Sequence, residues 1–210
     1  ITDDDIDHNS ITAPLKNNNS TSLNLSSTPI KIESKKLFAE EILYKAGQEI
    51  TKEISGNNNI AQICNIFMTS VTKALELEHM IICFYNHKSK EMMAKMGLGI
   101  TDNFLKQFSF SLKPPVRNLF QVASLKGVDI YINDTQEYES KTNLPAWYRQ
   151  IIDAETFMLF PVSYNNKPFA LFYLDKNRKN ELLVGQENLK KLQALRALCV
   201  KSIEKRYLPS

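Results

Sequence analysis

Two segments, "FMLFPV" at 157–162 and "FALFYL" at 169–174, are apolar at almost every position. The turn residues Asn165, Asn166 and Lys167 lie between them, and Asn tolerates positive φ, so the pair reads as a hairpin. Pro168 suits the start of the second strand. An antiparallel strand with one wet face alternates apolar and polar residues. These two do not, so their sheet must be covered on both faces. The rest of the chain has to supply two covers.

Helical stripes provide the first. Leu37, Phe38, Ile42, Ala46, Ile50 and Ile54 recur at three- and four-residue steps over 35–55, with Ser34 as N-cap. Gly56-Asn57-Asn58-Asn59 ends that helix. Ile60, Ile63, Cys64, Phe67, Val71, Ala74 and Leu75 form a second stripe capped by Asn59. Leu189, Leu192, Leu195, Cys199 and Ile203 mark a closing helix over 186–206. Residues 80–85 and 91–96 read as strands joined by the turn "NHKSK".

The second cover is then the long segment 100–152. It predicts a helix opening at Thr101 or Asp102 and another from Pro114-Pro115 to Ser124, stopped at Lys126-Gly127. A short strand over 128–132 follows, then a loop. The helix "NLPAWYRQIID", with Asn143 as cap and Pro145 in its first turn, completes the segment. The expected fold is α+β: an antiparallel sheet with terminal helices on one face and a helical crossover on the other. A concave pocket can form under such a crossover. Its wall would combine Trp147 with Tyr131, Phe160 and Tyr173, on a face that register decides. The competing reading is plain packing, with the same rings plugging a core.

Composition narrows the function classes. Residues 1–34 are polar and repetitive and read as a linker; 35–208 read as one domain. The net charge of +3 is spread without a basic stripe, which excludes a nucleic-acid groove. No apolar run approaches the ~20 residues of a membrane span, and the polar, acidic start shows no signal peptide, so a cytoplasmic protein is expected. Cys64, Cys83 and Cys199 have no metal spacing and read as reduced, buried hydrophobes; no cofactor and no metal are expected. His8, His79 and His87 lack a nucleophile or acid at a recognisable spacing, so the chain reads as non-enzymatic. "GLGIT" matches no phosphate loop, and "YINDTQEY" with Asp134 matches no calcium loop.

The order of elements and three motifs resemble a GAF domain over roughly 36–206. "NLFQVASLKGVDIYIND" is similar to the GAF segment in which a helix turns into a short strand and an Asp. "FMLFPVSYNNKPFALFYLDK" resembles the GAF hairpin, with Pro in the first strand and an acidic end to the second. "LPAWYRQIIDAETFMLFPV" resembles the C-terminal region of bacterial HDOD signalling proteins. The resemblance implies a sensory or regulatory module of a signalling chain, binding a small ligand or dimerising through its terminal helices. An interaction-only scaffold with a filled pocket is the alternative. A thiol-dependent reductase of GAF type is a remote one, opposed by cysteines on apolar helix faces. The cyclic-nucleotide signature is broken, because its Asn, Phe and Asp are replaced by Asp175, Leu182 and Gln186, and only its Lys is kept, as Lys176.

Overall fold

The computed structural model describes residues 29–137, 143–152, 154–179, 182 and 185–207, with side chains in the first helix from Ser34 onward. Residues 1–28 of the expected linker, and Asp153 at the end of the expected helix "NLPAWYRQIID", lie outside the described residues.

The chain runs α1 (Pro29–Ser55), α2 (Ile60–Leu75), β1 (His79–Asn86), β2 (Glu91–Leu98), α3 (Asp102–Gln107), β3 (Ser109–Ser111) and α4 (Leu119–Lys126). It continues with β4 (Ile130–Ile132), α5 (Ala146–Ile151), β5 (Thr156–Tyr164), β6 (Lys167–Lys176) and α6 (Gln186–Tyr207). The strands form one six-stranded sheet in the order β3-β2-β1-β6-β5-β4, and every neighbouring pair is antiparallel.

Register explains the unbroken apolar strands. Met80 and Ile82 of β1, Met158, Phe160 and Val162 of β5, and Ala170, Phe172 and Leu174 of β6 pack against α1, α2 and α6. The alternate residues Ile81, Cys83, Phe157, Leu159, Leu171 and Tyr173 meet the crossover of α3, β3, α4 and α5. Each strand is thus apolar on both sides because each side faces a core, as the sequence predicts.

On the helical face, α1 and α6 run side by side in the same direction. Lys191 pairs with Glu40 at 3.1 Å near one end, and Asn58 and Ser202 hydrogen-bond near the other. The turn of the β5–β6 hairpin uses Asn165 and Asn166 at φ 50° and 57°, the left-handed geometry expected of them.

Three local expectations are corrected. Helix α1 begins at Pro29, so Ser34 lies inside it and is not its cap. Pro suits a first helical turn, and the sequence signal at Ser34 marks only where the apolar stripe begins. Helix α4 begins at Leu119 and not at Pro114-Pro115: Asn118 accepts from the Gln121 N–H and defines the cap. Helix α5 begins after Pro145, which has no side chain with which to cap it, and Asn143 is not its N-cap. The edge strand β3 has only three residues and carries no periodicity to read.

Candidate functional site

The space between sheet and crossover is occupied by rings. Phe108 and Phe110 come from the β3 region, Phe120 from α4, Trp147 and Tyr148 from α5, and Phe157 and Tyr173 from the sheet. Trp147 lies 5.1 Å from the centroids of both Phe108 and Phe120 and stacks on Phe110 at 6.2 Å. Phe120 in turn stacks on Phe157 at 5.7 Å and on Tyr173 at 6.1 Å. Pairs of this kind contribute about 0.5–1.5 kcal/mol each beyond their buried area. Trp147 also lines a surface cleft of about 600 Å³ with Glu91, Arg117, Asn118 and Leu144.

The four expected wall residues do not meet. Trp147 and Tyr173 belong to the crossover face. Phe160 packs on the helical face, with the Arg196 guanidinium 5.2 Å from its ring centre. Tyr131 pairs in register with Met158, also on the helical side, and is 38% exposed. Its hydroxyl donates to the Leu182 carbonyl. A single wall containing all four is therefore corrected: β5 and β6 alternate faces, and Phe160 and Tyr173 sit on opposite ones.

Under the ring cluster runs a chain of buried polar groups. Asp175 is fully buried and stands opposite His79 in the β1–β6 ladder. Its Oδ1 accepts from the His79 backbone N–H at 3.0 Å and contacts Nδ1 at 2.9 Å. Its Oδ2 accepts from the Tyr173 hydroxyl at 2.7 Å. The Tyr148 hydroxyl lies 3.1 Å from that of Tyr173 and 3.2 Å from the Ala154 carbonyl. Thr135, also buried, donates to the same carbonyl at 3.0 Å. Since Tyr173 spends its proton on Asp175, the Tyr148 proton is the one available between the two phenols. The chain thus ties α5 of the crossover to the first residue of β1.

Its electrostatics follow from burial and pairing. The hydrogen bond to Asp175 raises the His79 pKa above its usual 6.5, with burial opposing and the charges of Asp175 and Glu78 reinforcing. Burial, then the Asp175 charge, pushes the Tyr173 phenol well above its ordinary range, so it acts only as a hydroxyl. Sequence reasoning treated His79 as a residue without a partner. The signal it missed is an acid, Asp175, placed on the buried side of an unbroken apolar strand.

The thiols are remote from this chain of groups in character. Burial raises Cys64 to about 11 and lifts Cys83 and Cys199 further. All three are buried and free, as expected. Asp134 serves its own turn, accepting from the Gln136 N–H at 2.8 Å, and pairs with Lys179 at 3.5 Å. Among the described residues, no cluster of His, Cys, Asp and Glu could hold a metal ion, and no helix is long and apolar enough to cross a membrane.

A different surface is apolar and open. Along the outer side of α1 and α6, Tyr44, Gly47, Gln48, Thr51, Ala194 and Leu198 line a groove of about 590 Å³. Gly47 and Ala194 leave the hollow, and Leu37 (63% exposed) and Tyr44 (64%) stand out from α1.

No family model matches the sequence, and no curated protein matches it. Solved structures do. The GAF domain of an Acinetobacter phosphoenolpyruvate-protein phosphotransferase aligns at 14% identity and a TM-score of 0.62, covering 80% of this chain and 96% of that one. The GAF domain of the corresponding protein from Coxiella burnetii aligns at 11% and 0.61, over 80% and 96%. Free methionine-R-sulfoxide reductase from Neisseria meningitidis, solved with its substrate, aligns at 11% and 0.63, over 83% and 94%. Identity at this level speaks for architecture alone: the chain has the GAF-like α+β fold of the two GAF domains.

Proposed function

We propose that this chain is a non-enzymatic regulatory module that acts as a homodimer, with α1 and α6 of two copies packed in one bundle. The single observation that carries the reading is the open, largely apolar groove between α1 and α6, lined by the exposed Tyr44 together with Gly47, Ala194 and Leu198. Large exposed apolar side chains beside a groove of small residues are what a partner helix covers. Parallel α1 and α6 would carry motion from one end of the domain to the other. The HDOD association rests on the sequence resemblance of 144–162 and belongs to this proposal.

The filled space under the crossover favours an interaction module over a sensor that holds its ligand at that place. Rings from five elements occupy the volume a ligand would need. The reductase reading is opposed by burial of all three thiols, since attack requires an exposed thiolate. Sedimentation equilibrium of the purified protein tests the proposal. A dimer dissociated by Leu198→Glu is the expected result; a monomer at high micromolar concentration rejects it.

A further inference from the structure

At the end of the domain where α1, α2, β6 and α6 meet, a cavity of about 440 Å³ opens on the surface. Four lysines line it: Lys35, Lys36, Lys73 and Lys176. So do two carboxylates, but both are engaged. Glu76 takes Lys35 on both oxygens, at 3.0 and 3.1 Å. Glu187 takes Lys190, at 3.2 Å. Among the described residues, no carboxylate of the lining is left for Lys36, Lys73 or Lys176. Lys73 instead sits 5.6 Å over the ring of Phe38, which is 54% exposed. Phe38, Ala39, Ala74 and Leu75 give the cavity an apolar side.

We infer that this cavity binds a small phosphorylated molecule with a flat apolar part. Like charges gathered in one concavity repel, and an anion placed among them relieves that repulsion. Lysine is a point-charge binder of phosphate. The apolar side explains why the ligand is more than inorganic phosphate: a planar group laid on Phe38 and the alanines removes their surface from water. The rest of the chain argues for a small anion over a polymer. Its net charge is only +3, and the other lysines form no stripe leading away from the cavity. The site lies within one chain and does not depend on dimerisation, although it touches both α1 and α6.

Isothermal titration with ADP and, separately, with inorganic pyrophosphate tests the inference. The wild-type protein should bind both saturably, ADP more tightly, and both more weakly at higher salt. Lys36→Glu and Lys176→Glu should each weaken both probes roughly tenfold, whereas Lys36→Arg and Lys176→Arg should bind nearly as the wild type does. Phe38→Ala should weaken ADP and spare pyrophosphate. Lys88→Glu, in the exposed β1–β2 turn, should change neither. Circular dichroism confirms that the surface variants fold. Three results would overturn the inference: no saturable binding of either probe, equal weakening by Lys88→Glu, or ADP no tighter than pyrophosphate and indifferent to Phe38→Ala.

Discussion

Asp175 shows what a single residue demands of its surroundings. A fully buried carboxyl group must collect donors, and here they come from His79 and Tyr173. Removing donors should cost according to their charge. Tyr173→Phe takes a hydrogen bond from the carboxylate and is expected to lose about 1.5–3 kcal/mol; Tyr148→Phe takes one from a neutral phenol and should lose about 0.5–1.5 kcal/mol. Urea denaturation followed by Trp147 fluorescence measures both, and equal losses would break the assigned order of the chain. The pH dependence follows from His79. Its folded pKa is raised, so its contribution is fully present below the unfolded value near 6.5 and fades as pH rises through the folded one. The stability gap between wild type and His79→Gln should therefore be widest below the unfolded value and narrow as pH rises above it. A gap that widens would reverse the sign. The facing charges are Asp175 across the ladder and Glu78 beside it. None of this pairing is visible along the chain, since His79 and Asp175 are 96 positions apart and only the register joins them.

Elements were legible where a local signal is sufficient. Asn59 caps α2, its side chain accepting from the Ala61 and Gln62 N–H groups. Thr101 caps α3 through the Phe104 N–H. Gly127 closes α4 at φ 64°. Asn59→Ala should cost about 1 kcal/mol of stability, read from the thermal or urea transition. Where competing signals adjoin, the sequence misleads: two prolines promise a helix start that Asn118 takes instead, and Asn143 loses its cap role to the bare Pro145. Two glycines separate conformation from space. A Cβ on Gly127 would stand 3.3 Å from the Ser163 hydroxyl, so Gly127→Ala pays mainly the left-handed backbone, about 1–2 kcal/mol. At Gly99, with φ 76°, a Cβ would stand 2.0 Å from the Glu78 carbonyl oxygen. Gly99→Ala should be clearly the worse of the two, because backbone must move at the entry to β1, beside His79. Equal unfolding midpoints for the two variants would contradict that contact.

At the scale of the molecule, the sheet separates two jobs. One face holds a closed aromatic core; the other carries the helices whose outer side is open. The double cover was legible because "FMLFPV" and "FALFYL" leave no polar face, yet the assignment of Phe160 and Tyr173 to one wall failed because alternation places them on opposite sides. That separation makes a sharp expectation for the proposed dimer. Leu198 lines the outer groove, while Tyr148 lies wholly under the crossover. Leu198→Glu should abolish self-association and with it the concentration dependence of the unfolding midpoint, because a midpoint depends on protein concentration only when folding and assembly are linked. Tyr148→Phe should do the reverse, lowering stability while the sedimentation mass stays that of the dimer. The double variant should show the two effects independently, since the residues share no partner across the sheet. If Tyr148→Phe itself dissociates the dimer, the two faces communicate through the sheet, and the crossover would then be the regulatory input to the helices.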